Sequence, residues 1–186
     1  IMPSLVGSEM CIRDSIAAEG IRLIRRYLPR AVADGRDIEA RSQMLVASTM
    51  GATAFQRGLG AMHALAHPLG AVYDLHHGAL NAILMPYVLR ANRVMISSLL
   101  ERLCMHIGID DPSFETFLEW ILGLRRAIGI PETLMEVGID LSGTKEIGQM
   151  AFKDPSSLTN PILFSSSEYE SIYQDAILGN IDFLSQ

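Results

Sequence analysis

The chain predicts an all-α fold, a helical bundle, and three observations predict it. From Ile16 onward, apolar residues recur at three- and four-residue spacing in almost every window. No stretch alternates apolar and polar residues as a half-buried strand would, and no internal repeat or low-complexity linker interrupts the pattern. A length of 186 residues with 49% hydrophobic and 19% charged residues suits one globular unit with a sizeable core. Residues 16–186 are therefore expected to form one helical domain with no sheet of consequence.

The elements follow in order. Ile21, Ile24 and Leu28 mark one face of a first helix, with Arg22, Arg25 and Arg26 as a solvated face, and Pro29 is expected to end it. A second helical run starts near Asp37 and continues through "ARSQMLVASTMGATAF", whose small residues suit close helix packing. After a histidine-rich segment comes "GALNAILMPYVL" at 78–89. This most apolar run is shorter than the roughly 18 residues a membrane span needs, contains Asn81 and Pro86, and reads as a buried helix. In "MISSLLERLCMHIGI", Ile96, Leu99, Leu100, Leu103 and Ile107 form a single stripe. In "DDPSFETFLEWILGLRRAIGI", Asp111 is expected to cap and Pro112 to occupy the first helical position. Phe114, Phe117, Leu118 and Ile121 share a face there, and Gly129 and Pro131 supply the stop. Ser167 with Glu170 fits a capping box before "YESIYQDAIL".

The first fifteen residues stand apart. "IMPSLVGSEMCIRDS" has no apolar periodicity, does not look like the start of the helix after it, and lacks the basic start and apolar core of a signal peptide. Residues 5–15, "LVGSEMCIRDS", resemble the read-through translation of a sequencing-library adapter. The segment 1–15 is expected to be non-native and to pack poorly at Leu5, Met10 and Ile12, with the natural chain extending upstream.

Charge excludes some partners. A net charge of −6 and a pI near 5.3 give no electrostatic footprint for nucleic acid, and no basic run addresses an anionic membrane surface. Small molecules or proteins are the expected partners. Two cysteines, Cys11 and Cys104, are too few and too far apart for a disulfide scaffold or a CxxC motif, so the default compartment is a reducing cytoplasm. The ten methionines read as core filler.

Four of the five histidines fall within "HALAHPLGAVYDLHHG" at 63–78. Such clustering suits a metal or proton-handling site, which uses the imidazole lone pair and its tunable charge. His63 and His67 are four apart, placing their Cα atoms about 6 Å apart on one helix face. His77 follows Pro68, Gly70 and the turn-like "DLHHG", where a chain reversal can return it to the same point. HxxxH lacks the glutamate of the zinc-protease helix, since Ala64 follows His63. "GLGA" at 58–61 offers a small-residue approach for backbone or cofactor. His106, at the end of an amphipathic helix, reads as structural; His76 is not expected to be a ligand; and Asp74 reads as a turn or capping residue.

The stretch "GLGAMHALAHPLGAVYDLHHGALNAILMPYVLRAN" resembles the signature of the iron-containing alcohol dehydrogenases. The likeness extends more weakly through "DGRDIEARSQMLVASTMGATAFQRG" and "MAFKDPSSLTNP". The resemblance implies the helical C-terminal domain of a dehydroquinate synthase-like fold. It implies a divalent metal, Fe2+ with Zn2+ or another ion as alternatives, bound by an aspartate, a histidine four residues later, and two histidines matching His63 and His77. It further implies that His67 is the catalytic histidine beside the nicotinamide of NAD or NADP. Phe55 is a candidate nicotinamide contact, with buried packing as the alternative. No aspartate lies four residues before any histidine and no GGGS-like phosphate turn occurs, so half the metal site and the nucleotide-binding domain are absent from this chain.

The function implied is that of a metal-dependent NAD(P) alcohol dehydrogenase interconverting alcohols with aldehydes or ketones, of which this chain is an inactive fragment. A homo-oligomer of the intact enzyme stays open. One alternative is a non-catalytic helical binding or structural module. Another is a related metal-dependent lyase or glycerol dehydrogenase on the same scaffold.

Overall fold

The computed structural model describes residues 3–54 and 58–181, with backbone alone for residues 3–13. Phe55 and the side chains of Leu5, Met10 and Ile12 lie outside the described residues. Among the described residues eight α-helices follow one another: α1 (Pro3–Ala33), α2 (Ile38–Ala54), α3 (Gly60–Tyr73), α4 (His77–Ala91), α5 (Arg93–Ile107), α6 (Phe114–Ala127), α7 (Thr144–Lys153) and α8 (Ser166–Leu178). Short 3-10 turns at Met135–Val137 and Pro155–Thr159 flank α7. No strand occurs among the described residues, as the periodicity predicts.

Two expectations about α1 are corrected. The helix begins at Pro3, so residues 3–15 form its first turns, where the sequence suggests that no helix starts. Periodicity reports burial, whereas extending an existing helix needs only residues that tolerate it, and after Pro3 the segment contains no further proline. Nor does Pro29 end the helix, which runs on to Ala33. Its last turns are secured from outside the ladder. The Tyr27 ring is flanked by the guanidinium groups of Arg26 and Arg30, each 5.2 Å from its centroid. Arg30 also donates to Asp37 at 3.0 Å and Glu39 at 2.8 Å across the turn into α2.

Two caps also fall two residues from their expected places. Ser113, not Asp111, caps α6, in a reciprocal box with Thr116, and Phe114, not Pro112, is the first helical residue. Asp111 instead takes a left-handed φ of 50°, and its carbonyl accepts from the Thr116 hydroxyl. Ser165 with Glu168 caps α8 in place of Ser167 with Glu170. Glu170 is used elsewhere, accepting from Thr144 on α7 at 3.2 Å.

The largest core lies among α3, α4, α7 and α8, where Leu65, Leu69, Ile83, Leu84, Tyr87, Tyr169, Tyr173 and Ile177 are essentially inaccessible. Each such side chain contributes roughly 1.5–3 kcal/mol by leaving water. Helices α7 and α8 touch backbone to backbone at Gly148, where an added Cβ would lie 2.7 Å from the Ser166 carbonyl. A second cluster joins α5 to α6 through Leu100, Cys104, Phe117 and Leu118, and a third joins α1 to α2 through Leu23, Tyr27 and Ala47. Arg125 is buried at the end of α6. Among the described residues it has no carboxylate partner; its guanidinium donates to the carbonyls of Pro131 and Glu132 at 2.7 and 2.8 Å. No helix among the described residues is long and apolar enough to cross a membrane.

Candidate metal centre

The site is built on the α3–α4 hairpin. Asp74 ends α3 in the left-handed region, φ 52°, with its N–H donating to the Gly70 carbonyl. His76 then caps α4, its Nδ1 accepting from the Ala79 N–H at 3.3 Å. Both residues thus serve the turn, as the sequence suggests for Asp74, and the three-residue reversal makes His77 the first residue of α4.

A distant segment fastens the start of α3. Gly60 N–H donates to Thr159 Oγ1 at 3.1 Å and Ala61 N–H to Asn160 Oδ1 at 3.0 Å, supplying acceptors to orphan donors of the first helical turn. Asn160 and Asn92 exchange side-chain hydrogen bonds at 2.8 and 3.2 Å, both buried. Gly58, φ 108°, meets Thr159 so closely that a Cβ would lie 2.3 Å from the Thr159 Cβ. The small residues at 58–61 therefore admit the chain's own Thr159–Asn160 segment.

That anchoring brings Asp154, which caps the Pro155–Thr159 turn through the Ser156 N–H, against α3. Its Oδ2 lies 2.9 Å from His67 Nδ1. Burial works to raise the Asp154 pKa, but hydrogen bonds from the Ser156 N–H and His67 prevail and hold it below the usual carboxylate value.

His63, His67 and His77 converge. Ring centroids are 5.1 Å apart for His63 and His77, 5.5 Å for His67 and His77, and 5.8 Å for His63 and His67. His63 is buried at the floor, at 9% exposure, while His67 and His77 open to solvent. Burial, then the neighbouring His77 and His67, lowers the His63 pKa; the Leu59 backbone and Asp154 act the other way. The low value favours the neutral ring that a metal requires.

Asn81, one turn beyond His77, sits between two of the rings. Its Nδ2 lies 2.9 Å from His77 Nε2 and 3.4 Å from His63 Nε2. Both Nε2 atoms therefore lie around one point, as two ligands of one cation would. No cluster of three or more His, Cys, Asp or Glu side chains among the described residues has the geometry to enclose an ion. The residues present fit two positions of a coordination sphere.

Sequence reasoning missed Asp154 and Asn81. Asp154 carries the Asp-Pro-Ser signature of a cap, which says nothing of His67. Asn81 had a local signal: it is a polar residue four after His77 inside the most apolar run. Away from the histidines, a cavity of about 530 Å3 between α1, α4, α5 and α6 is lined by apolar side chains such as Ile24, Met85, Leu103 and Trp120, with Arg125 the exception.

Comparison with known proteins shows the family to which the chain belongs. The model of the Fe-containing alcohol dehydrogenase family, C-terminal part, matches residues 7–177. Alcohol dehydrogenase 4 of Saccharomyces cerevisiae is 34% identical over 168 residues, 89% of this chain and 44% of that protein. The 1,3-propanediol dehydrogenase of Citrobacter freundii is 33% identical over 172 residues, 89% and 44% of the respective chains. The crystal structure of a 1,3-propanediol oxidoreductase superposes with a TM-score of 0.85 at 34% identity, covering 89% of this chain and 45% of the other. The chain thus spans less than half the length of these relatives.

Proposed function

Because the chain belongs to the Fe-containing alcohol dehydrogenase family, we propose that it is the metal-binding helical domain of an NAD(P)-dependent enzyme interconverting small alcohols with aldehydes or ketones. The observation that carries this reading is the convergence of His63 and His77 on one point, with His67 beside them. His63 and His77 would hold a divalent metal, Fe2+ in the first instance and Zn2+ or another ion as alternatives. Bound there, the ion supplies Lewis acidity toward a substrate oxygen, and the nicotinamide supplies the hydride acceptor.

The chain's own residues contribute orientation and a proton path. Asp154 accepts from His67 Nδ1, which leaves Nε2 as the atom that takes or gives a proton. The Gly58–Thr159 contact and the Asn160 bonds keep Asp154 in that place. Phe55, just before the start of α3, is the proposed nicotinamide contact. Residues 1–15 are proposed to be adapter-derived, and in the intact enzyme residues 16–186 are proposed to work with an earlier helix carrying a DxxxH ligand pair and with a separate nucleotide-binding domain. The reaction is proposed to be cytoplasmic, without nucleic acid or membrane partners, with a homo-oligomer as one form of the intact enzyme.

The test is an assay of this chain and of a full-length parent restored upstream, each with Fe2+ or Zn2+, NAD or NADP, and a panel of short alcohols. The parent is expected to turn over and this chain is not, since two imidazoles bind an ion weakly and contacts at His67 and Phe55 alone do not fix the nicotinamide near the substrate. Parent turnover that survives His63→Ala combined with His77→Ala would show the metal assignment to be wrong. Turnover by the chain alone would show the two-domain reading to be wrong.

A further inference from the structure

The arginines of α1 form one wall of a cleft. Arg22, Arg25 and Arg26, with His106, Ile107 and Gly108 at the end of α5, line an open space of about 550 Å3. Arg22 and Arg26 are four apart on one helix, a like-charge spacing that disfavours the helix itself. Glu19 answers part of the charge, accepting from Arg22 Nε at 2.7 Å and lying 3.6 Å from His106 Nε2. Among the described residues, three guanidiniums against this one carboxylate leave two positive charges unmatched, on a chain whose net charge is −6. The walls are held in place. Arg25 Nη1 donates to the Ile107 carbonyl at 2.6 Å, and the rest of its guanidinium makes no further bond among the described residues. Gly108 makes room for that contact: its φ is 74°, and an added Cβ would stand 3.3 Å from Arg25 Nη1. Arg26 lies 5.2 Å from the centroid of the Tyr27 ring and has no ion pair among the described residues. At the end of α5, the carbonyls of Cys104, Met105 and Ile107 are already bonded, which lessens their repulsion of an anion.

We propose that this cleft between α1 and α5 is a binding site for a small anion with two linked phosphoryl groups, separate from the histidine centre and independent of its reading. A guanidinium fork meets phosphoryl oxygens in pairs, which a point charge cannot do. Arg25 and Arg26 are the forks available to the ligand, while Arg22 stays with Glu19. The size of the cleft falls within the range of small-ligand sites. A diphosphate brings enough negative charge to match the two unanswered guanidiniums, and enough oxygens to meet both.

The experiment titrates this chain, stripped of metal by a chelator and dialysed, with sodium pyrophosphate in low-salt buffer near neutral pH and reads the heat by calorimetry. Saturable binding is expected, weakened by added salt because the groups are exposed, with succinate binding more weakly than pyrophosphate. Arg25→Gln and Arg26→Gln each remove one charge-assisted contact and should each weaken pyrophosphate binding roughly 10- to 100-fold. Glu19→Gln removes the competing carboxylate and should strengthen it. Arg25→Gln also breaks the tie to Ile107; should that variant lose helical circular dichroism, Arg26→Gln and Glu19→Gln decide. No binding to the original chain, unchanged affinity in the arginine variants, or succinate binding as tightly as pyrophosphate overturns the proposal. A chain carrying both His63→Ala and His77→Ala should bind pyrophosphate as the original does. Loss of binding there would place the anion at the histidines and overturn the α1–α5 site.

Discussion

Asn160→Ala tests how the centre is held together. The Asn160 side chain accepts from the Ala61 N–H and from Asn92 Nδ2, and donates to Asn92 Oδ1 and the Ile162 carbonyl. Truncation leaves the Ala61 N–H and Asn92 Oδ1 without these partners, in surroundings where Ala61 is 0% and Asn92 4% exposed. Leaving a buried polar group unmatched costs about 1–3 kcal/mol, so two of them predict a loss of about 2–6 kcal/mol. That is a large share of the ~5–15 kcal/mol that holds an ordinary domain together.

The assay is urea denaturation followed by circular dichroism. With a slope of about 2 kcal/mol per molar urea, the midpoint should fall by roughly 1–3 M. Asn92→Ala removes the other half of the same exchange, so the double variant should lose less than the sum of the two singles, by about 0.5–3 kcal/mol. A loss below about 1 kcal/mol for Asn160→Ala, or strict additivity in the cycle, would refute the view that this pair anchors the Pro155–Thr159 turn to α3.

Other predictions follow from neighbouring features. Gly148→Ala should destabilise the chain by about 1–2 kcal/mol despite a helix-propensity gain near 1 kcal/mol, because the new methyl meets the Ser166 carbonyl; an unchanged or raised melting temperature would contradict the close α7–α8 contact. Asp154→Asn preserves an N-cap but removes the carboxylate beside His67, so activity of the restored parent should fall roughly 10- to 100-fold while the melting temperature barely moves. His63 binds its proton less readily folded than unfolded, so stability is complete above its ordinary pKa of 6.5 and declines as pH falls through the lowered folded value. A His63→Gln chain should lack that part of the decline, and identical urea midpoint profiles across this range would count against the burial of the ring.

What could be read from the sequence divides along the range of the forces involved. The stripe through Leu100, Leu103 and Ile107 and the face Phe114–Ile121 announce α5 and α6, because the helical period maps spacing onto burial; Leu99, expected on the same stripe, sits at its edge and is 50% exposed. Caps are less legible. Among Ser165, Ser166 and Ser167, local preference hardly distinguishes the first, and the choice follows from Glu170 being engaged by Thr144 of another helix. Residues 3–15 show the opposite failure, since absent periodicity excludes a buried face but not a helix. The site divides in the same way. His63 with His67, and His77 with Asn81, are pairs that a four-residue spacing aligns wherever a helix forms. Their meeting depends only on the short turn at 74–76, for which "DLHHG" is a visible signal. Asp154 reaches His67 across 87 residues, and Thr159 and Asn160 reach α3 across 99. No local pattern encodes those contacts. The histidines that would hold the ion are therefore the legible part of the centre, while the groups that orient them are products of the packed bundle, and damage to the packing around Asn160 should reach the site without touching a ligand.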